Sequence, residues 1–168
     1  MILHGSHGEY LIGPDLPLST KTGKHIPNEQ RMPSPPARMN AARDIVLNGH
    51  PSRRVRSLSN VYHCMGLVFA SRRTWVGTEY LSMILQEDGY RRILSESELH
   101  PGDLIVYKDA EGVSVHVGWI TRITPNFRNA IWEIDVVSQW GNDGEYFHPA
   151  DDVSPFLGTP SEYWTDRI

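Results

Sequence analysis

PGDLIVYKDAEGVSVHVGWITRI, Pro101 to Ile123, decides the fold class of this chain. After Pro101-Gly102 the apolar period shortens to that of a strand. Leu104 to Tyr107 and Val113 to Ile123 are β-branched and aromatic, and the turn formers Asp109-Ala110-Glu111-Gly112 separate them. A third such run, Ala130 to Trp140, follows Thr124-Pro125-Asn126, and an antiparallel meander joins the three most economically. Upstream the spacing is helical. Ala41 to Leu47 carries a weak helical pattern halted by Asn48-Gly49-His50-Pro51, and Met65 to Ala70 is apolar all round, as a wholly buried helix would be. Tyr80, Leu81, Ile84 and Leu85 then recur at three- and four-residue spacing before Asp88-Gly89. Helices first and sheet second is an α+β order.

Outside this body, residues 1–40 are rich in Pro, Gly, Ser and His with no sustained apolar period, and read as a flexible N-terminal arm. Residues 41–168 read as one domain. Its tail, Phe147 to Trp164, reads as loop, with Phe156, Tyr163 and Trp164 holding it to the body. The formal charge of -4 gives no global attraction to nucleic acid or anionic membranes, and no apolar run approaches the roughly 18 residues of a membrane span. With one cysteine, neither an intramolecular disulfide nor a cysteine-based zinc cage is available. The expectation is a cytoplasmic protein made without a signal peptide, with signal-independent export open. His4-Gly5-Ser6-His7 reads as tail composition more than as a chelator.

That cysteine, Cys64, stands in Tyr62-His63-Cys64-Met65-Gly66-Leu67-Val68, where the buried helix begins. Unpaired N–H groups at a helix start stabilise a thiolate, and a nucleophilic thiol needs a base to share its proton. Of eight histidines, His116 sits inside a strand otherwise built for burial, and alternation puts it on one face with Gly118 and Ile120. A glycine beside it leaves room for a close approach, for which the Cys64 helix is the expected neighbour.

The three stretches Tyr62–Val68, Leu99–Tyr107 and His116–Ile120 resemble, in that order, the helix start, Pro-Gly-Asp-Leu strand start and His-Val-Gly strand of the NlpC-type and CHAP-type cysteine peptidases and amidases of bacteria. The resemblance covers roughly Asn60 to Trp140. It implies a papain-like fold, with N-terminal helices carrying the cysteine packed on an antiparallel sheet carrying the histidine. It implies Cys64 as nucleophile and His116 as base, with Ser138 or Gln139 from the next strand orienting the imidazole. Gln139 is preferred on chemistry, because an amide oxygen accepts the ring N–H. Asn60 and the Cys64 amide are the oxyanion candidates, although Asn60 also reads as a helix cap. The implied activity is a thiol hydrolase working through a thioester, without cofactor or metal, on a peptide- or amide-bearing substrate such as cell-wall peptide. His63 stands where the NlpC-type enzymes usually carry Asp.

Rival readings are an acyltransferase using the same pair, a noncatalytic binding or structural module with Cys64 as a small buried hydrophobe, and a metal site built from Cys64, His116 and His148. His148 on its own reads as packing. Trp119, Trp132 and Trp140 read as core and rim, and Asp103 as a local turn stabiliser.

Overall fold

The structure is a computed structural model that describes residues 3–4, 10–11, 14–126 and 131–167. Residues 5–7 of the His-rich stretch, and Ala130 at the start of the third strand run, lie outside them. In chain order the elements are β1 (Leu3–His4), β2 (Tyr10–Leu11), α1 (Pro36–Gly49), β3 (Arg54–Ser57), α2 (Cys64–Phe69), α3 (Leu81–Glu87), β4 (Arg91–Ile93), β5 (Leu104–Lys108), β6 (Ser114–Asn126), β7 (Ile131–Gln139), β8 (Glu145–Pro149) and β9 (Thr159–Thr165). Strands β1 and β2 pair only with each other. The rest form one seven-stranded antiparallel sheet in the order β3-β8-β7-β6-β5-β9-β4.

The meander is there, from β5 through β8, but the papain-like arrangement is not. The expected layer of helices is three short ones of 14, 6 and 7 residues, and the sheet dominates. Two physical reasons account for the difference. Helix α2 stops at its sixth residue because Ser71 and Arg72 take left-handed backbone angles (φ 49° and 64°), which lets the Arg72 amide close back on the Gly66 carbonyl at 2.9 Å. The proline-containing tail also holds two strands, with loop only between them. Pro149 ends β8, and Pro160 sits at a register shift of β9 opposite Tyr107, a bulge where a missing N–H is tolerated. Phe156 is 93% exposed and holds nothing, whereas Tyr163 and Trp164 lie in β9 and pack on the core.

Strand alternation sorts the core into two faces. On one, Leu104, Val106 and Val117 meet Cys64 and Met65 of α2 and Leu81, Ile84 and Leu85 of α3. On the other, Ile105, Tyr107, Ile120, Ile134 and Val136 pack together. A third cluster joins Val46 of α1 to Trp140 and Tyr146.

Residues 14–35 run against the body. Ile26 is buried in the same cluster as Cys64, and Asn28 is buried with its side chain bonded to Leu16, Ile26 and Thr74. Glu29 and Trp75 exchange both main-chain hydrogen bonds at 2.8 and 2.9 Å. Among the described residues no helix is long and apolar enough to cross a membrane.

Candidate functional site

His63 caps α2 in extended conformation and Cys64 is its first helical residue. What holds this helix is a buried carboxylate. Glu145 of β8 is fully buried and accepts from Tyr62 Oη (2.8 Å), from Arg72 Nε and Nη2 (2.9 and 3.0 Å) and from Arg56. Burial acts to raise its pKa, but the bonds from Arg72, Tyr62 and Arg56 outweigh that and hold it below the ordinary carboxylate value. Tyr62 precedes α2 and Arg72 follows it, so one carboxylate clamps both flanks. Gly66 is required between them, since a Cβ there would run into the Thr74 carbonyl oxygen.

The helix start does not make Cys64 a thiolate. The thiol is 4% exposed, and burial pushes it up to about 11, against the downward pull of the main-chain amides of Val117, Met65 and Cys64 itself. A six-residue helix offers too little dipole to overcome that desolvation. The Val117 amide places the thiol beside β6, one residue along from His116.

His116 is 1% exposed. Its ring lies against Tyr107, centroids 5.2 Å apart, and its Nε2 is buried with no hydrogen-bond partner. Burial, then His148 and His63, bring its pKa down to about 3. Val117 packs with Cys64, so alternation turns the His116 ring to the Tyr107 face, and no hydrogen bond joins thiol to imidazole. The close approach expected at Gly118 is real but comes from β7 instead of α2: a Cβ would meet Val136 Cγ1 at 2.6 Å, Val137 O at 2.9 Å and Ser138 Cβ at 3.0 Å.

The proposed orienters part company. His148 Nδ1 lies 2.7 Å from the Pro149 carbonyl, which only accepts, so Nδ1 donates and Nε2 is left to accept from the Ser138 hydroxyl at 2.8 Å. Trp140 Nε1 donates to the same hydroxyl at 3.1 Å. Ser138 thus serves His148, not His116. Gln139 donates through Nε2 to the carbonyls of Ser59 (2.7 Å) and Gly141 (3.0 Å), and its Oε1 is buried without a partner. Trp119 pairs with Val137, so Val117 and Gln139 lie two residues further along the same two strands. Asn60 is committed to structure: Oδ1 accepts from the Ser34 amide at 2.6 Å, Nδ2 donates to the Met32 carbonyl, and its own carbonyl takes Trp75 Nε1. Its side chain is not free for an oxyanion.

Two residues that no sequence motif singled out, Arg31 and Trp75, frame the site. Trp75 carries the Arg31 guanidinium at 3.4 Å and the His63 ring at 4.3 Å. Burial, then Arg31, lower the His63 pKa to about 4, and its Nδ1 is buried and unpartnered. A cavity of about 360 Å³ opens beside it, lined by Asp15, Glu29, Arg31, Trp75 and Tyr80 among others. Asp103 accepts from the His100 amide at 2.7 Å and from Arg167, the local role expected of it. Among the described residues no group of three or more His, Cys, Asp and Glu is arranged to hold a metal, so Cys64, His116 and His148 do not assemble as ligands. No family model, no curated protein and no solved structure matches this chain.

Proposed function

We propose that the chain is a thiol-dependent acyl hydrolase acting on an amide or ester, with Cys64 as nucleophile and His116 as its base. One observation carries the reading. Three of the buried polar atoms without a partner belong to His63, which precedes Cys64, and to His116 and Gln139 of the strands beside α2 (Nδ1, Nε2 and Oε1); Tyr107 Oη and Asn142 Oδ1 are others. A buried polar atom without a partner costs about 1–3 kcal/mol, and a catalytic role is one reason for a fold to keep it. The thiol proton passes to His116 as sulfur adds to the carbonyl carbon. The imidazolium then protonates the leaving amine or alcohol, and a thioester remains. Water, deprotonated by His116, attacks the thioester carbonyl, and the thiolate departs and regains its proton. The thiol and imidazole are both neutral at pH 7, so proton transfer accompanies attack. The His116 ring rests on the Tyr107 face, so this reading requires it to swing about its side-chain bonds and meet the thiol in the acyl complex.

The second reading, a noncatalytic module with Cys64 as packing, is favoured by the burial of the thiol and its raised pKa. p-Nitrophenyl acetate separates the two. The hydrolase reading expects nitrophenolate release, a transient acetyl group located on Cys64 by mass spectrometry, and loss of both in Cys64→Ala. Release in His116→Ala is expected to fall about 10²-fold or more. Equal turnover by Cys64→Ala leaves the noncatalytic reading standing.

A further inference from the structure

We infer that residues 14–34 form a strap that shuts the Cys64 end of α2 in the resting protein and opens on its own, without global unfolding, to admit the acyl substrate; this rests on Cys64 being the nucleophile.

Three observations carry it. The segment is held by few anchors. Of residues 14–34 only Thr20, Ile26 and Asn28 are buried, while β5 is buried at four consecutive positions. Apart from Lys21 and Thr22, which bond to Asp88 and Glu87 at the end of α3, its fastenings to the body gather beside α2. Asn28 Oδ1 accepts from Thr74 Oγ1, Glu29 pairs with Trp75, Arg31 stacks on Trp75, and Met32 and Ser34 hold Asn60. The seam is also incompletely filled: the cavity beside His63 has Asp15, Pro27, Asn28, Glu29 and Arg31 from the strap as one wall. Local stability follows buried apolar contact, and a segment fastened mainly by hydrogen bonds beside a cavity opens at lower free energy than the sheet. Pro14, Pro17, Pro27 and Pro33 restrict the detached segment, so little conformational entropy resists its return.

Iodoacetamide alkylation of Cys64 in the intact chain, followed against urea below the unfolding transition together with hydrogen exchange of residues 14–34, tests this. The expected result is alkylation limited by an opening whose urea dependence is well under that of global unfolding. In Asn28→Ala, which removes the buried anchor, alkylation is expected to be at least tenfold faster, with strap amides exchanging faster and β5–β6 amides unchanged. Alkylation with the urea dependence of global unfolding overturns the strap. So does an Asn28→Ala protein whose strap amides are released while its alkylation rate is unchanged. A strap that opens as described in a protein that forms no acetyl-Cys64 removes the nucleophile reading, and leaves the strap as a cover over a structural thiol.

Discussion

The two sides of α2 treat buried polarity in opposite ways. At its flanks, Glu145 sits in the core as a charged group, and every donor it needs is present: two nitrogens of Arg72, one of Arg56 and the hydroxyl of Tyr62. At its N-terminus His63, and on the neighbouring strands His116 and Gln139, are neutral and each keeps one buried atom without a partner. The first arrangement is what a fold does to fix an element in place. The second is structurally costly, and its nearness to the thiol is what makes it the candidate site.

Acid probes the contrast most strongly. His63, His116 and His148 have folded pKa values near 4, 3 and 4, below the ordinary 6.5. Between these limits the unfolded chain binds protons that the folded one refuses, so stability is complete above about pH 6.5 and is lost as pH falls toward the folded values. From pH 7.5 to 5 the expected loss is on the order of 2 kcal/mol per histidine, read from urea unfolding midpoints. A flat profile between pH 6.5 and 5, where carboxylates titrate little, removes the claim that these rings are buried neutral.

Glu145→Ala comes next. Leaving Arg72, Arg56 and Tyr62 without their acceptor is expected to cost about 3 kcal/mol of stability by urea unfolding, toward the lower end for buried pairs because both arginines are partly exposed. A loss under about 0.5 kcal/mol means the carboxylate does not clamp α2. The smallest effect sharpens the other side. His116→Leu replaces an imperfectly bonded ring by an apolar group of similar size, and its stability at pH 7.5 is expected to stay within about 1 kcal/mol of the parent. Its acid sensitivity weakens by one histidine's share while acyl turnover falls about 10²-fold or more. A strongly destabilised His116→Leu protein means that the imidazole serves the core.

Much of the sheet was legible in sequence because β-branched runs and Gly-containing turns act locally: β5, β6 and most of β7 fall where alternation puts them. The tail strands were hidden by prolines, whose usual meaning is reversed by a bulge at Pro160 and a strand end at Pro149. The α2 clamp was illegible for a different reason. Nothing local links Arg72 to a glutamate 73 positions away, and only the left-handed turn at residues 71–72 aims the guanidinium there. At the site, Cys64 and His116 stood out by chemistry and both are buried, Cys64 beside β6 and His116 within it. Their faces were misjudged, because alternation gives a residue's partners along its own strand and not which helix covers them.

The position of β9 bears on how the chain is made. It is the last strand of the sheet in sequence, yet it lies between β5 and β4, with Val106 pairing to Glu162 across more than fifty residues. While the polypeptide emerges from a ribosome, β5 therefore has one bare edge until the final strand arrives, and β4 has no neighbour at all. Such long-range closure is slow, and an open edge in the meantime invites pairing with other nascent chains. Lys108 at the end of β5, whose ammonium joins Glu162 only once β9 docks, puts a charge on that edge during the wait.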